Sequence, residues 1–262
     1  MGRVEGKVAI VTGGASGLGA ADARVLAAEG AAVILTDIDV TKGEALAEEI
    51  GAEFFEHDVS QEEAWVRLME QTVDRHGGLD VLVNNAGIAI VADIERTTNE
   101  IWRRTLAVHL DGTFFGCRHA LPAMAASGGG SLINMSSTAA LVGYSPYFAY
   151  SAAKGGIRSL TKSIAAHCRV KRNGVRCNSV HPGSIDTPMV HEALASLGLP
   201  KPEGDHYPEE QRRQIGLGEP EDVAHMVVFL ASDESKHISG SEMVIDNGDA
   251  VVQITAPGGT GG

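Results

Sequence analysis

Cysteine is scarce in this chain of 262 residues: Cys117, Cys168 and Cys177, with no pair at Cys-x-x-Cys spacing. Three scattered thiols exclude a disulfide framework and predict reduced side chains in a cytoplasmic protein. Runs of positive charge are missing as well. Against 34 acidic residues stand 21 lysines and arginines, a net charge of −13 that repels phosphate backbones and anionic lipid, so nucleic acid and membrane are not expected partners. Residues 120–153 carry no charge, yet Pro122, Gly128 to Gly130, Asn134 and Pro146 interrupt them, which argues against a membrane span. Met1 to Lys7 hold neither a signal core nor a myristoylation pattern, so no export or lipid anchor is expected. The ten histidines never fall at His-x-x-x-His spacing, and no catalytic metal is expected.

What is present is a foldable mixture, 44% apolar and 21% charged, of a length that suits one α/β domain. Short β-branched runs at 8–11, 32–35, 53–55, 81–83, 131–134, 175–180 and 243–245 alternate with helical patterns at about 17–29, 41–49, 61–76, 98–126, 150–171 and 219–231. That rhythm predicts a doubly wound (Rossmann) parallel sheet of seven strands in the order 3-2-1-4-5-6-7, with helices on both faces. Residues 1–255 are expected to form this single domain, with 188–217 as a lid and 256–262 as a flexible glycine-rich tail.

The first strand runs into Thr12-Gly13-Gly14-Ala15-Ser16-Gly17-Leu18-Gly19 and then a helix. Glycines there let a pyrophosphate approach the backbone and sit on the amides of the helix N-terminus; a bare turn is the alternative, but its place between strand and helix favours the nucleotide. Asp37 closes the second strand, where a carboxylate accepts from both ribose hydroxyls and repels a 2′-phosphate, which predicts NAD rather than NADP. Later strands end in His57-Asp58-Val59, Asn84-Asn85-Ala86-Gly87, Ser136-Ser137 and His181-Pro182-Gly183-Ser184-Ile185-Asp186-Thr187. All lie on one sheet edge, a row that matches an extended dinucleotide.

Tyr150 and Lys154 share one face of the next helix, four residues apart. An ammonium beside the phenol favours phenolate; a drop of two or three units from about 10 needs roughly 3 to 4 kcal/mol and would let Tyr150 exchange a proton near neutral pH. A Tyr-x-x-x-Lys match is by itself often an exposed helix pair, but Ser137, 13 residues upstream at a strand end, adds a hydroxyl for the same substrate oxygen.

With these residues the chain resembles the short-chain dehydrogenase/reductase family over residues 5 to 250. The resemblance implies Tyr150 as general acid/base, Ser137 orienting the reacting oxygen, and Lys154 tuning Tyr150 and binding the nicotinamide ribose. It also implies cofactor contacts at Gly13, Ser16, Gly17, Leu18, Gly19, Asp37, Asp58, Val59, Asn85, Ala86, Gly87, Pro182, Gly183, Ile185 and Thr187. Where many members carry a relay asparagine this chain has His109. A buried helix histidine is often structural; in the relay reading His109 holds a water and adds a pH dependence near 6.5.

Around the centre the sequence places Ile88, Ile90, Val91, Ala139, Leu141, Val142, Tyr144, Tyr147 and Phe148, with Met189, Val190, Leu194, Leu197 and Leu199 from the lid. No lysine or arginine faces it by position, so a bulky neutral secondary alcohol is expected. Asn178 to Gly183, Thr187 to Met189 and Ala231 to Ser235 are similar to bacterial hydroxysteroid dehydrogenases, which implies a steroid-like alcohol. A smaller cyclic or aryl alcohol, a 3-oxoacyl-type substrate, a non-redox NAD enzyme and an NAD sensor are the alternatives. Apolar residues at Leu106, Phe114, Phe115, Leu160 and Ile164 predict a homo-oligomer, and the family resemblance implies a dimer or tetramer.

Overall fold

The computed structural model describes residues 2–251 except Leu197; the expected tail at 256–262 and the lid residue Leu197 lie outside the described residues. Seven strands form one parallel sheet: β1 Val8–Thr12, β2 Ala32–Asp37, β3 Glu53–Glu56, β4 Val81–Asn84, β5 Gly130–Met135, β6 Val175–Pro182 and β7 Glu242–Ile245. Their order is β3-β2-β1-β4-β5-β6-β7, as the sequence predicts. Neighbouring residues of β1 point to opposite faces. Ala9 and Val11 join one buried cluster with Leu26, Val227 and Val228, while Ile10 joins another with Trp65, Leu82 and Leu132. The sheet is therefore dry on both sides, which is why its strands read as continuous apolar runs.

Helices α1 Gly17–Ala28, α2 Val40–Ile50 and α3 Glu62–His76 connect the first strands. In α3, Glu62 and Glu63 occupy the first turn and Arg75 and His76 the last, in favour with the helix dipole; Gly77, at φ 79°, ends it. Asp22 on α1 is fully buried, and neither carboxyl oxygen has a hydrogen-bond partner among the described residues. Burial pushes its pKa well above the usual carboxylate range.

The single helix expected at 98–126 is broken. Helix α4 Asn99–Leu106 passes into a π-helical turn at Ala107–Asp111 before α5 Gly112–Ala126. The wider turn swings His109 inward, 1% exposed, where its Nε2 meets the backbone of Ile88. Helix α6 Phe148–Lys171 starts two residues before the expected 150. Residues 188–217 contain α7 Pro188–Ser196 and α8 Glu209–Ile215, and α9 Pro220–Ala231 precedes β7.

Candidate active site

The glycine loop is built for close approach. Gly13 has φ 64°, and a methyl on it would lie 2.8 Å from the Ala86 Cα; a methyl on Gly19 would lie 2.1 Å from the Gly13 carbonyl oxygen. Gly19 therefore packs beneath the loop, whereas Gly13, Ser16, Gly17 and Leu18 line the cleft. Ser16 caps α1 in an extended conformation with no side-chain bond to the helix amides, so its hydroxyl does not take up those donors. From behind, Asn85 Nδ2 donates to the Thr12 and Gly13 carbonyls at 2.9 and 3.2 Å. The Asn85 and Ala86 amides donate to Thr12 Oγ1.

Asp37 accepts from the Ala15 amide (3.0 Å) and the Asp39 amide (3.0 Å), which fixes its carboxylate beside the loop. Next to it Ile38 is 71% exposed. Asp58 is held by the Ser60 amide and hydroxyl at 2.9 and 2.7 Å. Apart from Gly19, every residue assigned to cofactor or catalysis from the sequence lines one cleft of about 410 Å3 along the carboxyl edge of the sheet. That volume lies within the range of small-molecule sites. Carboxylates for two hydroxyls, a backbone cradle and free helix amides suit a dinucleotide.

At the other end Ser137, Tyr150, Lys154 and His109 converge. Ser137 follows β5, and its Oγ accepts from the Ala139 amide at 3.1 Å. Tyr150 sits in the first turn of α6, with Ser137 beside its hydroxyl. Lys154, 3% exposed, donates through Nζ to the Met135 carbonyl at 2.6 Å and lies 5.4 Å from the Tyr150 ring centroid. The His109 ring meets that of Tyr150 edge-on at 5.3 Å.

The electrostatics correct two expectations. The Tyr150 phenol is raised above its ordinary value by burial, which outweighs the lowering by Ser137; it is not lowered by Lys154. The reason is that Lys154 is itself buried, pushed down to about 7, and its ammonium is directed at a carbonyl. His109 is pushed down to about 3 by burial, with Lys154 adding to the effect, so it is neutral through the physiological range and gives no titration near 6.5. Its Nε2 is engaged by Ile88, with the amide at 3.0 Å and the carbonyl at 2.7 Å, and Nδ1 is buried with no partner among the described residues.

Of the expected substrate-side residues, Ile88, Met189 and Val190 line the cleft. Tyr147 stacks toward Tyr150 at 6.2 Å, but Phe148 turns to Trp102 (5.9 Å), and Leu199 is 45% exposed. Besides Lys154, a second basic side chain lines the cleft, contrary to the reading from position: Arg104, with Ala107 and Val108 beside it on the same helical stretch. Its i, i+3, i+4 spacing to those residues was the available signal. Among the described residues no cluster of three metal-binding side chains occurs, and no helix is long and apolar enough to cross a membrane.

A family model described as enoyl-(acyl carrier protein) reductase matches residues 13–249. The NADP-dependent (R)-specific alcohol dehydrogenase of Lentilactobacillus kefiri is 43% identical over 254 residues, covering 94% of this chain and 97% of its own length. Trans-4-hydroxycyclohexanecarboxylate dehydrogenase of Sinomonas cyclohexanicum is 43% identical over 261 residues, 94% of each chain. The 3-beta-hydroxysteroid dehydrogenase of Comamonas testosteroni is 42% identical over 247 residues, 94% of this chain and 96% of its own.

Proposed function

The chain belongs to the short-chain dehydrogenase/reductase family, and from that premise we propose that it interconverts a bulky apolar secondary alcohol and its ketone with NAD. The observation that carries the reading is the meeting of Ser137 and Tyr150 in a cleft that also holds the glycine loop. A nicotinamide dinucleotide bound along this edge supplies the hydride acceptor or donor. Gly13, Ser16, Gly17 and Leu18 would cradle its pyrophosphate, Asp37 would hold its adenosine ribose, and Asp58 and Val59 its adenine; Pro182, Gly183, Ile185 and Thr187 would serve the nicotinamide end.

Ser137 holds the substrate oxygen by its hydroxyl. Tyr150, whose neutral phenol burial favours, delivers a proton to that oxygen in ketone reduction, whereas in alcohol oxidation its phenolate receives one. Lys154 lies beneath the phenol and replenishes or removes its proton. His109 acts in the same chain through its unpartnered Nδ1, which is placed to hold a water as a neutral imidazole. His109→Asn keeps a polar group at that position and is expected to retain most of kcat, whereas His109→Leu is expected to lose about tenfold or more. Because His109 is pushed down to about 3, exchanging it for asparagine should leave any inflection between pH 6 and 7 unchanged. Full activity in His109→Leu discards the relay.

Ile88, Met189 and Val190 favour a hydrophobic alcohol, and residues 188–217 act as its lid. A smaller cyclic alcohol is the second reading, favoured by the cyclohexanecarboxylate dehydrogenase among the relatives. Phe114 and Phe148, 42% and 40% exposed on α5 and α6, support self-association through these helices. The buried free thiols Cys117, Cys168 and Cys177 suit the cytoplasm. The test is a panel of hydroxysteroids, cyclic, aryl and short linear secondary alcohols, followed by the absorbance of the reduced nicotinamide. Turnover is expected with the first groups. Activity on short linear alcohols alone overturns the substrate assignment, and failure of any alcohol to reduce the dinucleotide overturns the reaction.

A further inference from the structure

After β6 the chain passes through Ile185 to Thr187, leaves on the excursion 188–217, and returns at Gly218. The two ends of the excursion are tied by backbone alone: the Asp186 amide donates to the Gly218 carbonyl (2.9 Å), and the Gly218 amide donates to the Ser184 carbonyl (3.0 Å). Such a tie fixes where the segment leaves and returns, but not how its body lies.

The body is fastened by one carboxylate. Asp186 is fully buried. Its Oδ1 is 2.5 Å from His191 Nε2 in α7; its Oδ2 accepts from the Tyr207 amide at 3.1 Å. The same oxygen faces His206 Nδ1 at 3.3 Å and, in α8, Arg212 Nη1 at 3.9 Å. All four groups belong to the excursion. Tyr207, 2% exposed, adds its ring edge to His191 at 5.2 Å and its hydroxyl to the Pro200 carbonyl at 2.6 Å. Arg212 also donates to the Tyr207 carbonyl and pairs with Glu219 beyond the return point.

A carboxylate withdrawn from water is tolerated only when donors and cations surround it. Here the surrounding groups reach Asp186 only when α7 and the approach to α8 both lie down, so satisfaction of this charge and closure of the segment are one event. The next residues along the chain, Thr187 to Val190, line the cleft, and a methyl on Gly17 of the glycine loop would lie 3.5 Å from Thr187. The position of the hub is thereby passed to the wall over the dinucleotide and substrate.

We propose that Asp186 is the positioning residue of the lid: it locks both halves of residues 188–217 onto the end of β6 and so sets where Thr187, Met189 and Val190 stand over the site. The inference rests on the reading of the cleft as a dinucleotide and alcohol site.

Asp186→Asn in the full chain keeps the shape and one acceptor for the Tyr207 amide while removing the charge. The expected result is an alcohol KM raised about tenfold with kcat changed less than about threefold. NADH should dissociate several times faster, and trypsin should cut faster after Arg212 or Arg213. His206→Ala removes a half-exposed contact without opening the core and should shift KM and cleavage in the same direction, more weakly; it serves if the asparagine variant does not fold. Native KM and native cleavage rate in His206→Ala, or in a folded Asp186→Asn, overturn the proposal. If instead the native protein binds no NADH and oxidises no alcohol, the functional reading fails, and cleavage of the two variants still judges the lock.

Discussion

Tyr150→Phe is expected to lower kcat by about three orders of magnitude while leaving dinucleotide affinity within about threefold of the native protein. Each factor of ten is ~1.4 kcal/mol of barrier, so the loss corresponds to ~4 kcal/mol of transition-state stabilisation. The phenylalanine ring retains the edge contact with His109, and α6 keeps Lys154 on the Met135 carbonyl, so the change removes the proton carrier and little else. The native enzyme should show the matching pH dependence. Because the folded environment raises the phenol above its ordinary value, phenolate is the scarcer form at neutral pH and becomes more abundant as pH rises. Alcohol oxidation is therefore expected to quicken from about pH 6 to about pH 9, and ketone reduction to stay level or fall. Steady-state rates in both directions decide the matter; an oxidation rate that declines across this interval, or a phenylalanine variant with native turnover, removes Tyr150 from the chemistry.

The second large effect concerns Asp37. A negative charge fixed by the Ala15 and Asp39 amides stands beside the exposed Ile38, and no cation follows through position 41. A 2′-phosphate placed there meets repulsion with nothing to offset it. Asp37→Asn retains an acceptor oxygen and loses the charge. It is expected to move the ratio of kcat/KM for NAD over NADP by about a hundredfold, ~2.7 kcal/mol, toward NADP. Adding Ile38→Arg should carry the shift further by supplying a cation for the phosphate. Native preference for NADP, as the name of the Lentilactobacillus relative states for that enzyme, would reverse the assignment.

Much of this architecture was legible because its signals are local. The glycine loop, Asp37 and the polar residues at strand ends announce themselves by turn chemistry next to a β-branched run, and the parallel, two-sided sheet follows from repeated strand-helix alternation. What could not be read depends on three-dimensional surroundings. The π turn at Ala107–Asp111 has no composition of its own; it goes together with a contact of His109 to the Ile88 backbone, 21 positions away. The pKa directions of Tyr150 and His109 follow from burial and from Lys154 choosing a carbonyl, neither of which has a sequence spacing. Asp186 looks like one more polar residue in a loop, since Tyr207 and Arg212 stand 21 and 26 positions away.

Asp22 has a thermodynamic reach beyond α1. Its carboxyl keeps its proton to higher pH in the native chain than in the denatured chain, which surrenders it above about pH 4, so between the two pKa values denaturation releases a proton to the buffer. For this one group the balance tips toward the native state in acid and away from it as alkalinity grows, until the native pKa is passed, opposite in sign to the salt-bridged carboxylates at Glu234 and Glu242. The helix that begins at the glycine loop thus carries one buried group that favours the native state in acid.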